Sequence, residues 1–154
     1  METFAEHTAL HGRFLALIGS FPGSLWSNPQ HEQRMKTLRN SLGYRRTRNT
    51  NRYYAAMYLL TANTDIYRRS LNCFDRKGIN FKFARLDNIV PHNYTLLMYA
   101  RDIYEGSRYV SYQDLTEPEV IDLEAFRLIV GSSLILRYGL AALDIKTQRA
   151  SYKR

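Results

Sequence analysis

Histidine side chains are the first candidates for chemistry in this chain of 154 residues. His7 and His11 lie four positions apart, the spacing at which two imidazoles on one helix face can share a zinc ion. The zinc-protease motif requires a glutamate directly after the first histidine, and Thr8 stands there instead. His31 and His92 are too far away in sequence to complete a local metal motif. We therefore expect no metal site and no other cofactor.

Cys73 is the single cysteine, so no intrachain disulfide can form. Arg69 and Arg76 are near in sequence and would activate an exposed thiolate. Free cysteine is among the most buried residue types, and the neighbours Leu71 and Phe74 are apolar. The sequence therefore predicts a buried thiol at this position instead of a nucleophile.

Carboxylates are the remaining candidates, at Glu117, Glu119, Asp122 and Glu124, because paired acids can act as general acid and base. Each of them falls at a predicted helix start, where capping and the helix dipole also favour acids. The chain contains no nucleophile elbow, phosphate-binding glycine loop or CxxC pair. We expect a protein that is not an enzyme, and an enzyme of an unrecognised type remains an alternative.

Charge is distributed unevenly along the chain, whose formal net charge is +8. The basic tract, residues 34–85, contains thirteen Lys or Arg against two Asp, a local balance of +11. The acidic region, residues 102–124, contains seven Asp or Glu against one Arg, a local balance of −6. This separation indicates an electrostatic partner for one region or the other.

Arginines and tyrosines alternate closely in the middle of the basic tract. Guanidinium groups bind phosphates and aromatic rings stack on bases, so we expect a nucleic-acid or polyanion site there. Its expected residues are Tyr44, Arg45, Arg46, Arg48, Arg52, Tyr53, Arg68 and Arg69. Further cations of the tract would extend the patch: Arg34, Lys36 and Arg39 before these residues, and Arg76, Lys77 and Lys82 after them. If four arginines neutralise phosphates, binding weakens about 150-fold from about 50 to 200 mM salt. The alternative is a solvated connector whose arginines pair with the chain's own acids.

Helix caps and breakers predict the elements that position these residues. Helices are expected over about 3–18, from Pro29 to Gly43, over about 51–61, from Asn63 to Gly78, from Pro91 to Gly106, and from Asp122 to Gly139. Alternating apolar residues at 79–84 indicate a short strand or an extended segment. The predicted fold is mostly α, a compact bundle of six or seven helices formed by residues 1–145, followed by a basic tail at 146–154.

Two pairs between the fifth and last helices, Ser111 with Asp114 and Thr116 with Glu119, have the capping-box arrangement and predict short helical turns. Gly131 lies in the middle of the last helix, where glycine costs about 1 kcal/mol relative to alanine. We expect another helix to approach closely at that point.

The expected location is the cytoplasm. The first residues contain acids and histidines where a secretory signal has a basic segment before an apolar run. The longest uncharged stretch near the C-terminal end is 128–136, shorter than the about 20 apolar residues that a membrane span requires. No membrane association is predicted.

Residues 53–106, about a third of the chain, contain aromatic, aliphatic, aspartate and glycine residues in a particular order. They are Tyr53, Tyr54, Leu59, Leu60, Phe74, Asp75, Gly78, Ile79, Leu86, Leu97, Ala100, Ile103, Tyr104 and Gly106. This order resembles an uncharacterised family of small helical proteins from Gram-positive gut bacteria and their mobile elements. The resemblance implies a helical fold and a mobile-element setting, without an activity or a site residue.

We expect an accessory protein of a bacterial mobile element or phage that engages nucleic acid or a protein–nucleic acid complex through an Arg/Tyr surface. The alternative is an inhibitor of a bacterial defence nuclease, similar to an anti-CRISPR protein, that uses the acidic region. A homo-oligomer, in which basic and acidic regions of two copies meet, is a further option.

Overall fold

Helices form most of the backbone between residues 4 and 144, the part that the computed structural model describes; side chains are described from residue 9 onward. The α-helices in this part are α1 (Phe4–Ser20), α2 (Pro29–Leu42), α3 (Asn51–Leu60), α4 (Thr64–Ser70), α5 (Pro91–Glu105) and α6 (Leu123–Tyr138). Short 3₁₀ helices occur at Leu71–Cys73, Phe81–Phe83, Asp114–Thr116 and Gly139–Asp144. The predicted mostly α bundle is confirmed. The expected tail at 146–154 lies outside the described residues.

Side-chain caps begin the helices at the predicted positions. Asn28 Oδ1 accepts the His31 N–H at 2.8 Å at the start of α2. Asp122 Oδ1 accepts the Ala125 N–H at 2.8 Å at the start of α6. Each cap satisfies one of the backbone donors that the first turn of a helix leaves without a partner. The cap residues therefore predict the starts of α2 and α6 correctly.

Helix α3 is the centre of the fold. All its side chains from Tyr53 to Leu60 are buried, and α5 and α6 pack against it. A helix that is apolar nearly all round must be enclosed by other elements, and α3 is enclosed in this way. Residues of α2 also contact α3 and the residue that follows it. The first turn of α3 directly follows the arginine-rich loop, residues 43–50.

Gly131 of α6 lies directly against Tyr58 of α3, which confirms the predicted close approach. A Cβ built on Gly131 would lie 2.6 Å from the Tyr58 hydroxyl oxygen and 3.1 Å from the ring carbon that carries it. Tyr58 is fully buried and its hydroxyl donates to the Leu25 carbonyl oxygen. Because this ring is held on all sides, it cannot move aside for a methyl group.

We expect Gly131→Ala to lower the free energy of unfolding by about 1 kcal/mol. Overpacking against Tyr58 costs about 1–3 kcal/mol and outweighs the gain in helix propensity of about 1 kcal/mol. Gly12 of α1 is the matched control, since nothing lies within 4 Å of a Cβ built there. Gly12→Ala should raise stability. Urea unfolding of both variants measures the difference, and stabilisation by Gly131→Ala would contradict the packing.

Three predicted local features are wrong. Helix α4 ends at Ser70 instead of continuing to Gly78. The proposed strand at 79–84 is absent from the described chain: Ile79 forms one isolated bridge with Phe74, and Phe81–Phe83 is a 3₁₀ helix. The capping box of Thr116 and Glu119 does not form, because the Thr116 hydroxyl donates to the Gln113 carbonyl oxygen at 2.7 Å; the predicted short turn does follow, since the Glu117 carbonyl oxygen accepts the N–H groups of Val120 and Ile121. The other capping box forms as predicted, because the Ser111 and Asp114 side chains each accept the other residue's backbone N–H.

Length and composition alone would allow the stretch Leu123–Asp144 to cross a membrane. In this fold, 44% of its apolar window is buried inside the protein. Its buried face includes Phe126, Ile129 and Ile135, and α6 packs on α3. The stretch therefore has the contacts of a core helix.

Candidate nucleic-acid interface

Arg48 and Tyr53 lie in the interior, so their expected place on an exposed Arg/Tyr surface is wrong. Arg48 is 5% exposed and Tyr53 is fully buried. The Arg48 guanidinium lies 5.3 Å from the centroid of the Tyr53 ring. Burial raises the pKa of Tyr53 to about 12, and its hydroxyl has no hydrogen-bond partner among the described residues. Neither side chain can reach a phosphate or a base.

Arg48 instead fastens the loop to the end of α2. Its Nη2 donates to the Gly43 carbonyl oxygen at 2.5 Å and to the Leu42 carbonyl oxygen at 3.3 Å. Its Nε donates to Asn49 Oδ1 at 3.1 Å. The last carbonyls of a helix lack partners within that helix, and a cation there also opposes the negative end of the helix dipole. Arg48 thus fixes the course of the chain between α2 and α3.

Arg68 and Arg69 lie in a separate depression of about 220 Å³, together with Arg85 and the carboxylates of Asp65 and Asp87. Arg69 Nε is 3.0 Å from both carboxylate oxygens of Asp65, and its Nη1 donates to two backbone carbonyl oxygens. Arg68 is exposed. Because aspartates line this depression together with the arginines, it does not form part of a surface that binds anions.

Arg52 is exposed and its guanidinium lies 5.9 Å from the centroid of the Tyr104 ring in α5. It does not line the cleft described next. The predicted residues that remain together and exposed are Tyr44, Arg45 and Arg46, which follow one another at the start of the loop. Arg45 begins a turn in which its carbonyl oxygen accepts the N–H groups of Arg48 and Asn49.

One of these three residues, Tyr44, lines a cleft of about 510 Å³ between the last turns of α2 and the first turn of α3. We call it the α2–α3 cleft. Its lining consists of Lys36, Arg39, Asn40, Gly43, Tyr44, Asn49 and Tyr54. This lining contains two cations and no carboxylate. The cleft therefore has the charge that an anionic ligand requires.

Arg39 is the best placed cation of the cleft. Its guanidinium lies 5.4 Å from the centroid of the Tyr54 ring, and no described carboxylate forms an ion pair with it. Lys36, by contrast, lies 3.2 Å from Glu32 in a pair whose side chains are 59% and 41% exposed. An exposed pair of this kind is weak and exchanges readily for another anion. Arg39 is held by the ring while its N–H donors stay available.

Asn49 holds the opposite wall of the cleft. Its Oδ1 accepts the Arg45 backbone N–H at 3.0 Å, and its Nδ2 donates to the Tyr54 hydroxyl at 3.0 Å. The loop, the Tyr54 ring and the Arg39 guanidinium over that ring are consequently connected through Asn49 and Tyr54. Sequence reasoning named Arg39 and Lys36 only as extensions of the patch and missed both asparagines, whose roles depend on the folded loop.

The acidic region does not neutralise the basic tract. No ion pair within 4.0 Å joins residues 34–85 to residues 102–124 in the described chain. Asp102 instead accepts the backbone N–H groups of Tyr109 and Val110 at 2.8 and 2.9 Å, and Asp114 and Asp122 hold turns and caps. The alternative in which this region pairs with the loop arginines is therefore not what the fold shows.

The histidines and Cys73 are the other candidates for chemistry, and the described residues do not arrange them as a metal or nucleophilic site. Within the described part of the chain, no group of three or more His, Cys, Asp or Glu could hold a metal ion; the His7 side chain lies outside it. Cys73 is buried, as predicted, and burial raises the pKa of its thiol to about 11. At neutral pH this thiol is protonated and a poor nucleophile.

Comparison of the chain with protein-family models, curated proteins and solved structures gives no match.

Proposed function

We propose that this protein binds nucleic acid through the α2–α3 cleft and the adjacent Arg45 and Arg46. The observation that carries the proposal is the Arg39 guanidinium, which lies over the Tyr54 ring, 5.4 Å from its centroid, in a cleft whose lining contains no carboxylate. An arginine that already lies over an aromatic ring loses less conformational freedom when it binds a phosphate, and its planar fork matches two phosphate oxygens. Lys36 lines the same cleft, and the exposed Arg45 and Arg46 directly follow its lining residue Tyr44 in the loop.

The proposed role is that of a cytoplasmic accessory protein of a mobile element or phage that acts by binding instead of by catalysis. The resemblance over residues 53–106 supports the setting, and the cleft supports the binding. Two described carboxylates lie near the cleft cations: Glu32, which is ion-paired with Lys36, and Asp144, which lines a neighbouring depression with Glu32, Lys36 and Arg39; neither lines the α2–α3 cleft itself. A neutral site would show a weak dependence on salt, whereas this site should show a strong one.

Inhibition of a defence nuclease is the second candidate, and the exposed carboxylates of Glu117 and Glu119 favour it. They are the members of the acidic region that no described cation, cap or backbone amide engages. Such an inhibitor would place them in a basic nucleic-acid channel. These two carboxylates are outnumbered by the two cations that line the cleft and the two exposed arginines that follow Tyr44, so direct binding of nucleic acid is the stronger proposal.

Salt dependence of binding tests the proposal. With labelled oligonucleotides of about 20 nucleotides, longer than a small domain's site, neutralisation of four phosphates gives a log–log slope between about −2.8 for single strands and about −3.6 for duplex. Affinity should fall about 50- to 150-fold from about 50 to 200 mM salt. Fluorescence anisotropy measures both quantities.

Two charge-matched variants locate the site. The cleft variant changes Lys36, Arg39, Arg45 and Arg46 to Gln, and should lose most of the salt dependence. The control variant changes Arg76, Lys77, Lys82 and Arg108 to Gln; these side chains are also exposed, so it carries the same net charge. Equal losses in both variants, or a flat salt response of the unmodified protein, would refute the cleft as the site. Potency against a nuclease that depends on Glu117 and Glu119 would support inhibition instead.

A further inference from the structure

We infer that the α2–α3 cleft takes an unpaired nucleotide, so the protein prefers single-stranded nucleic acid; this inference rests on the proposed function. Tyr44 is the first observation. Its side chain is 72% exposed at the edge of the cleft, in the loop directly after α2. Exposure of a large ring beside cations leaves one aromatic face free to stack on a base.

The base faces of a duplex are covered by their neighbours, so an exposed ring beside a duplex can contact only its backbone or its ends. In a single strand each base offers a face for stacking. The gain from Tyr44 is therefore available only with unpaired bases. Four cations alone would bind either form through phosphate contacts.

The size and polarity of the cleft agree with a nucleotide. Its volume of about 510 Å³ lies within the about 300–1,000 Å³ of pockets that enclose small ligands. Arg39 offers donors for the phosphate on one wall. Asn40 is exposed on the same lining, and its amide offers both a donor and an acceptor to a base edge. Asn49 is already engaged with the loop and Tyr54, so it supports the cleft instead of contacting a base.

The test compares a single-stranded oligonucleotide with the duplex made from it, for four proteins. The unmodified protein should bind the single strand more tightly. Tyr44→Ala should weaken single-strand binding about tenfold, in line with one lost stacking contact, and should leave duplex binding unchanged. Tyr44→Phe should keep single-strand binding, because stacking requires the ring and not the hydroxyl. Tyr138→Ala is the control, since Tyr138 is similarly exposed, at 64%, on α6.

The outcomes separate the two proposals. Tighter binding of duplex, equal weakening of both forms by Tyr44→Ala, or no effect of Tyr44→Ala would overturn the single-strand inference while salt-dependent binding to the cleft stands. Loss of binding in Tyr138→Ala as large as in Tyr44→Ala would also overturn it. Absence of salt-dependent binding to both forms would overturn the proposed function itself. Unchanged urea unfolding of Tyr44→Ala shows that any loss arises at the cleft.

Discussion

Replacement of Arg48 by methionine is expected to lower the free energy of unfolding by about 3 kcal/mol, as measured by urea denaturation. The guanidinium donates to the Gly43 and Leu42 carbonyl oxygens and to Asn49 Oδ1, and hydrogen bonds from a charged donor contribute about 1.5–3 kcal/mol each. Methionine fills the space of the arginine stem but offers no donor. The carbonyl oxygens of Leu42 and Gly43, at the end of α2, then lose this hydrogen-bond donor.

A second effect opposes this loss. Arg48 is almost completely buried without a carboxylate partner, and a buried charge carries a desolvation cost of several kcal/mol. Methionine removes that cost. It does so while leaving the Leu42 and Gly43 carbonyl oxygens without the guanidinium donor and the Tyr53 ring without its cation; Asn49 Oδ1 loses one of its two donors and keeps the Arg45 N–H. We expect the lost donors to dominate, so the net effect is smaller than the sum of three charged hydrogen bonds.

Arg46→Met is the control, two residues away in the same loop. Arg46 is exposed, and a surface substitution of this type changes stability by about 0.5 kcal/mol or less. Arg48→Lys keeps the charge but loses the planar fork, so it should fall between the two. A change below about 1 kcal/mol for Arg48→Met would show that water replaces the guanidinium at the carbonyls.

Some arginines of this protein are exposed, and others donate to backbone carbonyl oxygens within the fold. The sequence does not distinguish these two kinds. Arg34 donates to the Thr61 and Ala62 carbonyl oxygens at 2.7 and 2.9 Å, as Arg48 donates to the end of α2. Both were expected to be part of a cationic surface. Their acceptors lie on chain segments whose positions are set by the packing of α2, α3 and α4. Nothing local in the sequence marks an arginine whose acceptors are created by tertiary structure.

The predictable parts of the fold depend on short-range chemistry. Asparagine and aspartate before a helix were correctly predicted as caps, because the residue and its acceptor site are three positions apart. The early end of α4 had a local signal as well. Asp75 Oδ1 accepts the N–H groups of Lys77 and Gly78 at 2.8 and 2.9 Å, a turn typical of aspartate followed by glycine. The helical periodicity was extended through this turn, which is why the predicted helix was too long.

The candidate site was partly predictable for the same reason. Tyr44, Arg45 and Arg46 are consecutive, so their common exposure follows from a polar loop. The cleft itself requires Arg39 and Tyr54 to meet, and they lie on different helices, α2 and α3. Tyr53 and Tyr54 are adjacent in sequence yet differ in function: Tyr53 contacts the buried Arg48, and Tyr54 lines the cleft. Their different surroundings depend on the orientation of α3, which places Tyr53 against Arg48 and Tyr54 in the cleft.

Stability should also fall by about 3 kcal/mol between pH 7 and pH 4 because of His31, which is fully buried. Burial lowers its pKa from 6.5 to about 4, and the nearby Arg34 and Arg127 act in the same direction, whereas the Tyr58 carbonyl opposes the shift. Above pH 6.5 the ring is neutral in both the folded and the unfolded chain. As the pH falls from 6.5 to about 4, the unfolded chain binds a proton that the folded chain does not, at about 1.4 kcal/mol per pH unit.

The hydrogen bonds of His31 give the structural reason. Its Nδ1 accepts the Ser27 N–H at 3.1 Å and its Nε2 lies 2.8 Å from the Tyr58 carbonyl oxygen, so the neutral ring with its proton on Nε2 satisfies both neighbours. A second proton on Nδ1 would face the Ser27 donor. The stability difference between the unmodified protein and His31→Gln should therefore shrink by about 3 kcal/mol from pH 7 to pH 4, because glutamine does not titrate. His11→Gln, at an exposed position, should keep the pH profile of the unmodified protein. Parallel profiles for the unmodified protein and His31→Gln would show that His31 does not cause the loss.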